Sequence, residues 1–222
     1  VTTMSNTLCD FVQGVKVGTP QHHGNMAVAP ILNGQAKSLD YVLLSTALKS
    51  GGVTVTEVSE GGSVPDLKVV NHSDDAVLML DGEELSGAKQ NRVLNTTILL
   101  GGKLDAVIPV SCTEQGRWSY DSAEFQSSGE VMHRSARRHK MQSVTSSLRM
   151  QASYQSDQMG VWDQIQELHT SADTQSSTGA MRDAYEHRRQ DLNAYLGAFN
   201  CVDHQQGCLV VIGGKVAGLD MV

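Results

Sequence analysis

The sequence predicts an α+β fold, in which an antiparallel, sandwich-like β-meander is followed by a helical excursion of about three helices. Up to about residue 120, short alternating apolar runs are separated by Gly, Pro, Asn and Asp. From 121 to 200 apolar residues recur at helical spacing, and from 207 to 222 the chain returns to β-rich runs about Gly213-Gly214. We therefore expect one α+β domain over 1–222: β-rich over 1–120, helical over 121–200, with returning strands over 207–222.

The composition narrows the class of protein. A chain of 222 residues with 40% hydrophobic residues can bury one substantial core, or at most two small ones. The net charge of −7 argues against nucleic acid as a general partner. No apolar stretch is long enough for a membrane span, and no secretory leader is visible. The four cysteines form no C-x-x-C pair, so we expect free thiols and a cytoplasmic location. Both ends look trimmed, and composition predicts neither a cofactor nor an oligomeric state.

The β-rich part reads as strands joined by turns. Residues 12 to 32 mix apolar runs with Gly and Pro, as expected of short strands. A helix follows, which Ser38 caps and Gly51-Gly52 end. Alternating or β-branched runs then predict strands at residues 53–58, 67–71, 76–80, 93–100 and 104–110.

The later part contains the helices. Apolar residues fall on one helical stripe between Met132 and Leu148, and a second short stripe runs from Val161 to Leu168. A third helix is predicted from about 180 to 199. The tail is predicted to form a strand pair that returns to the sheet.

A first polar cluster, DGEELSGAKQNR at residues 81 to 92, follows an apolar strand. Glu83 and Glu84 would point to opposite faces of an extended strand, so one of them is a candidate acid/base in any given pocket. Candidate ligand-binding donors for phosphate, carboxylate or sugar hydroxyls are Lys89, Gln90, Asn91 and Arg92, with Asn95 just beyond. The alternative is a hairpin loop that hydrogen-bonds to itself, and composition alone favours that alternative.

A second polar cluster, PVSCTEQGRWSY at residues 109 to 120, leaves the end of another strand. A thiol near an arginine is a candidate nucleophile, but Cys112 fits a small buried cysteine better, because no helix begins at Arg117 to stabilise a thiolate. The candidate binding residues of this cluster are Glu114, Gln115, Arg117 and Trp118.

The histidines and the basic run give weaker signals. Glu130 and His133 have the spacing of a di-iron helix motif, but such sites need two copies, so we predict no metal site. The run HRSARRHK at 133 to 140 is interpreted as a solvated helix face. The other possibilities are that it closes over an anionic ligand or touches a nucleic acid backbone.

Several stretches resemble a prokaryotic family, the ARG and rhodanese-phosphatase superfamily-associated protein domain, or ARPP. The similar stretches run in order from about residue 23 to 220 and are HGNMAVAPIL, DGEELSGAKQNRVLNTTILL, IPVSCTEQGRW, STGAMRDAYEHRR and VVIGGKVAGLD. The family name associates it with ADP-ribosylglycohydrolases and rhodanese-phosphatase proteins, and so implies a role near ADP-ribose or phosphorylated metabolites. The two polar clusters are among the most recognisable family stretches, so the resemblance favours a site over a loop.

Two functions follow from these observations. The first is binding or processing of a small anionic ligand, phosphorylated or similar to ADP-ribose or a nucleotide, in a pocket built from both polar clusters. The second is a non-enzymatic structural or protein-interaction module, in which the clusters form an internal salt-bridge network. A concave site lined by these residues would favour the first function.

Overall fold

The computed structural model describes residues 13–33, 39–59 and 61–221. In chain order its strands are β1 Lys16–Val17, β2 Gln21–His23, β3 Met26–Leu32, β4 Val42–Leu43, β5 Val53–Glu57, β6 Asp66–Asn71, β7 Val77–Met79, β8 Glu83–Gly87, β9 Arg92–Leu94, β10 Ile98–Leu100, β11 Asp105–Cys112, β12 Phe125–Val131, β13 Gln205–Ile212 and β14 Lys215–Met221. Its helices are α1 Leu44–Lys49, α2 Arg134–Gln151, α3 Gln158–Ala172, α4 Met181–His187 and α5 Arg189–Leu196. The α+β class is confirmed, with antiparallel half-barrel sheets and helices clustered over residues 134–196. Contacts divide the chain into a terminal unit (1–39 and 189–222) and a central unit (40–188).

The terminal unit is an antiparallel sheet in the order β1-β3-β13-β14, with β2 also paired to β3. The predicted tail hairpin is present, and Gly213 and Gly214 form its turn with φ of 57° and 77°. Its strand β13 pairs with β3 and not with a strand of the central meander. Helix α5 contacts this sheet through Tyr195, whose ring centroid lies 4.9 Å from that of His23.

The central unit contains a six-stranded antiparallel sheet in the order β12-β8-β9-β11-β6-β5. A smaller sheet has the order β10-β7-β4, in which β4 runs parallel to β7. Both sheets contribute to one aliphatic core, which includes Val55, Val69, Met79 and Leu94. We call the side of the larger sheet that faces this core the inner face.

The opposite, outer face of the same sheet is covered by helices. Val93 projects from β9 into a second apolar cluster with Met132, Ala136, Ile165 and Met181. Successive side chains of a strand alternate between faces. Leu85 and Leu94 therefore belong to the core, while Val93 packs against helices α2 to α4.

The predicted strands agree with the structure better than the predicted helix boundaries do. The helix expected to start at Ser38, which lies outside the described residues, begins only at Leu44, because Val42 and Leu43 pair with β7. The third predicted helix is two helices, since Arg188 departs from helical geometry with φ −101° and ψ 15°.

Two further differences concern strands. The strand predicted over 93–100 is split into β9 and β10, with Asn95, Thr96 and Thr97 between them. Strand β12 lies where the spacing predicted only helix; it pairs with β8 through backbone hydrogen bonds. Of its seven residues only Phe125 and Glu130 are buried, so it shows no alternating apolar pattern.

No helix in the described part of the chain has the length and apolar character needed to cross a membrane.

Candidate functional site

The two polar clusters meet at one end of the six-stranded sheet. The first cluster forms the β8–β9 hairpin, whose turn includes Ala88 with a φ of 42°. The second follows β11, and Cys112 is the register partner of Arg92. The pairing continues past the strands, because the Thr113 amide donates to the Asn91 carbonyl at 3.0 Å. The two polar clusters therefore lie next to each other, as a site built from both of them requires.

Arg117 links the second cluster to the hairpin turn. Its Nε and Nη2 lie 2.9 and 2.7 Å from Oε2 of Glu114. Its guanidinium also donates to the carbonyl of Ala88 at 2.7 Å and to Oδ1 of Asn91 at 3.1 Å. These contacts join the second cluster to the turn of the β8–β9 hairpin, so Arg117 acts as an internal clamp.

Glu114 and Asn91 complete this clamp. Glu114 accepts hydrogen bonds from the Asn91 amide at 3.3 Å and from the Thr178 hydroxyl at 2.9 Å. Burial opposes ionisation of Glu114, but the hydrogen bonds from Arg117 and Thr178 outweigh it and lower the pKa of the carboxyl. Both carboxylate oxygens of Glu114 thus accept hydrogen bonds from other residues of the protein.

Arg92 occupies the inner face and is completely buried. Its Nη1 donates to Oε1 of Gln90 at 3.1 Å. Its Nη2 lies 3.7 Å from Oε1 of Glu57, which is an ion-pair distance but too long for a hydrogen bond. Among the described residues, neither Nε nor Nη2 of Arg92 and neither oxygen of Glu57 has a hydrogen-bond partner. A buried pair with four such atoms is unusual, because buried polar groups are nearly always hydrogen-bonded.

Cys112 lies on the same inner face. Its thiol contacts Oε1 of Gln90 at 3.0 Å. Burial raises the pKa of Cys112 to about 11, and the nearby charge of Arg92 does not reverse this. Cys112 is therefore a protonated thiol near neutral pH, whereas a nucleophile requires a thiolate.

An exposed rim lies next to the buried pair. Lys89 donates to the Gly61 carbonyl at 2.8 Å, and its ammonium is 5.4 Å from the ring of Trp118 and 5.0 Å from the ring of Tyr120. The Trp118 ring also lies 5.7 Å from the guanidinium carbon of Arg92. Both aromatic side chains are about half exposed, at 49% and 53%. We call Lys89, Trp118 and Tyr120 the aromatic rim.

Glu84 lies on the outer face instead. Its carboxyl accepts a hydrogen bond of 2.6 Å from the Thr113 hydroxyl. Burial raises the pKa of Glu84 to about 7, although this hydrogen bond and the charge of Arg182 lower it. Glu83 diverges from its neighbour as expected: it accepts from the Leu80 amide at 3.2 Å, within its own turn.

The remaining predicted site residues lie apart from the buried pair. Asn95 accepts from Ser111 at 2.6 Å and donates to the Tyr154 carbonyl at 3.0 Å, so it fastens the sheet to the segment after α2. Gln115 is exposed.

The interpretation of the basic run as a solvated helix face is wrong for two of its members. Lys140 is completely buried, pairs with Asp81 and donates to the Leu94 carbonyl at 2.9 Å. Arg137 also pairs with Asp81, at 3.0 Å. Arg137 and Lys140 lie on the side of α2 that faces the sheet. Asp81, which follows β7, lies within contact distance of both side chains. Burial lowers the pKa of Lys140, and Asp81 opposes that shift.

Within residues 13–33, 39–59 and 61–221, no three His, Cys, Asp or Glu side chains are grouped so that they could hold a metal ion.

Glu57 lies outside both polar clusters and is not among the site residues predicted from the sequence. A signal was available, because the alternation in VTVTE places Glu57 on the same buried face as Val53 and Val55. A carboxyl at the end of a buried stripe requires a partner. Arg92, its partner here, is 35 positions away in the sequence, three strands across the sheet.

Comparisons with known proteins identify a family. A family model described as ARPP-1, the ARG and Rhodanese-Phosphatase-superfamily-associated Protein domain, matches residues 14–222. No curated protein and no solved structure matches the chain.

Proposed function

This chain belongs to the ARPP-1 family, and from that premise we propose that it binds a small anionic ligand at the inner-face end of the sheet, beside Arg92 and Lys89. The observation that carries the proposal is the buried guanidinium of Arg92, whose Nε and Nη2 have no hydrogen-bond partner in the described chain. A buried donor without a partner costs about 1–3 kcal/mol, and more for a charged group. A bound ligand would remove that cost.

The geometry of the unpartnered atoms supports a specific type of contact. A guanidinium presents its donors as a rigid, planar fork that suits oxygen groups with two acceptors. Nη1 of Arg92 is already engaged by Gln90. The edge formed by Nε and Nη2 is the one that remains for a ligand.

The aromatic rim supports access from solvent. Trp118 is half exposed, yet its ring also contacts the guanidinium of the buried Arg92. A ligand held against Trp118 would lie close to both Arg92 and Lys89, and the cation of Lys89 at the rim would favour an anionic group. The family resemblance makes phosphorylated and ADP-ribose-like or nucleotide-like compounds the first ligands to test.

Glu84 has no place in this binding site. Its carboxyl is on the outer face, against Thr113, and the sheet separates it from Arg92. A proton-transfer step at the ligand would need another group, so the proposal is restricted to binding.

A thermal-shift and calorimetric screen tests the proposal. The ligands are inorganic phosphate, D-ribose 5-phosphate, ADP-ribose and adenine nucleotides, and the proteins are wild type, Arg92→Lys and Trp118→Ala. We expect a stabilising ligand whose effect both variants weaken, since Lys lacks the planar fork and Ala lacks the ring. Arg134→Lys, at an exposed position of α2, is the matched control. Binding that is equally strong in wild type and in both variants would place the ligand elsewhere.

A second function, a structural or interaction module, is favoured by the Arg117 clamp. Arg117, Glu114 and Asn91 hydrogen-bond to one another within the protein. No stabilising ligand in the whole screen, together with strong destabilisation by Arg117→Ala, would favour this module over ligand binding.

A further inference from the structure

We infer that Glu57 and Arg92 together form a subsite for a vicinal diol, so that the ligand is a hydroxylated compound such as a sugar phosphate, with its anionic group at Lys89. The inference rests on the proposed function, because it specifies which part of the ligand enters the inner face. It depends on Glu57, which neither polar cluster contains.

The hydrogen-bonding capacity of the pair matches two adjacent hydroxyl groups. Arg92 offers two donors, Nε and Nη2, and Glu57 offers two acceptors, Oε1 and Oε2, and all four lack partners in the described chain. A hydroxyl donates one hydrogen bond and accepts others. Two neighbouring hydroxyls can therefore donate to the carboxyl of Glu57 and accept from the guanidinium of Arg92.

The charges of the pair disfavour other ligand groups. Arg92 and Glu57 carry opposite formal charges 3.7 Å apart, and their side chains are 0% and 4% exposed. An oxyanion placed between them would be repelled by Glu57, and an ammonium group by Arg92. Adding a third charge to a buried ion pair leaves one charge uncompensated, which is costly in a desolvated site. A neutral polar group avoids this penalty, so the anionic part of the ligand is assigned to the exposed rim.

Gly62 connects the buried pair to the rim. A Cβ built on this glycine would lie 3.2 Å from Lys89, 3.4 Å from Trp118 and 3.5 Å from Oε2 of Glu57. Its φ of +77° is a conformation that glycine adopts without strain. Lys89, Trp118 and Glu57 thus all approach Gly62, which places the buried pair directly beside the aromatic rim.

Calorimetric titration of the full chain with two matched compounds tests the inference. D-ribose 5-phosphate carries a vicinal diol on its ring, whereas 2-deoxy-D-ribose 5-phosphate lacks one of the two hydroxyls. We expect ribose 5-phosphate to bind on the order of tenfold more tightly, since a lost hydrogen bond to a charged group weakens binding by that amount or more. Glu57→Gln should reduce this ratio to about one to threefold while 2-deoxyribose 5-phosphate still binds. Glu124→Gln, at an exposed glutamate of the same unit, should leave the ratio unchanged.

The outcomes separate this inference from the proposed function. Equal affinity of wild type for both sugar phosphates would overturn the diol subsite and leave anion binding in place, with water as the occupant of the buried pair. Binding of neither compound, nor of any other anion in the screen, would overturn both. Should Glu57→Gln fail to fold, the comparison of the two ligands on wild type still decides the matter.

Discussion

Glu84 and Arg92 lie on adjacent antiparallel strands, yet their side chains leave opposite faces of the sheet. Glu84 is the register partner of Val93, and Arg92 is the register partner of Leu85. Since paired residues share a face, Glu84 joins Val93 under the helices and Arg92 joins Leu85 beside the core. The stretch DGEELSGAKQNR therefore contributes to two separate environments, one a buried carboxyl beside the helices and the other an inner-face guanidinium next to the aromatic rim.

Arg117→Lys is predicted to destabilise the protein by about 2–3 kcal/mol, because lysine cannot bridge Glu114, Ala88 and Asn91 at once. Urea unfolding measures the loss, and hydrogen exchange should show faster opening of the turn at Ala88. Arg134→Lys, on the exposed surface of α2, should change stability by less than about 0.5 kcal/mol. Equal stability of the two variants would show that the clamp contributes nothing measurable.

Glu84 is predicted to make stability fall as the pH rises from about 4.5 to 8. Burial raises its pKa from 4.5 to about 7 in the folded protein, so the folded state binds the proton more tightly than the unfolded state. The contribution is fully present below pH 4.5 and is lost as the pH passes through about 7. Its full size is about 3 kcal/mol.

The measurement is the free energy of unfolding of wild type and Glu84→Gln across that range. The free energy of unfolding of wild type should fall relative to that of Glu84→Gln as the pH rises. Glu124→Gln, an exposed glutamate, should run parallel to wild type. If the free energy of unfolding of Glu84→Gln also runs parallel to that of wild type across the pH range, Glu84 does not titrate with a raised pKa.

The sequence predicts the strands well where alternation is visible and poorly where it is not. β5 and β6 show clear alternation, and both lie where the pattern predicts them. β12 contains four polar residues and a glycine between Phe125 and Val131, and it is defined by its pairing with β8. Pairing is a long-range property, so no local pattern within β12 could indicate it.

The candidate site shows the same division between local and long-range information. The polar character of both clusters was visible in the sequence, as was the divergence of Glu83 from Glu84. The pairing of Arg92 with Glu57 depends on strand order, because β9 reaches β5 only through β11 and β6. The burial of Lys140 likewise depends on where Asp81 lies relative to α2.

Cys112 is predicted to resist alkylation in the folded protein. Its side chain is 1% exposed and burial raises its pKa to about 11, so at pH 8 it offers neither access nor thiolate. Treatment with iodoacetamide followed by peptide mass spectrometry should show modification of the exposed Cys201 first. In urea, Cys112 should react as well. Rapid modification of Cys112 under native conditions would contradict the burial and restore it as a candidate nucleophile.

Lys140→Met is predicted to destabilise the protein by about 3 kcal/mol, because it leaves the carboxyl of Asp81 buried with one cation fewer. Arg137 still contacts Asp81, which places the effect at the lower end of the range for a broken buried pair. Arg138→Met changes the same charge at an exposed position of α2 and should cost less than about 0.5 kcal/mol. In the double variant Asp81→Asn with Lys140→Met, the loss should be smaller than the sum of the two single losses, because neither charge of the Lys140–Asp81 pair is left buried without the other. Urea unfolding of wild type, the two single variants, the double variant and Arg138→Met measures these differences. Strict additivity would show that Lys140 and Asp81 do not stabilise one another.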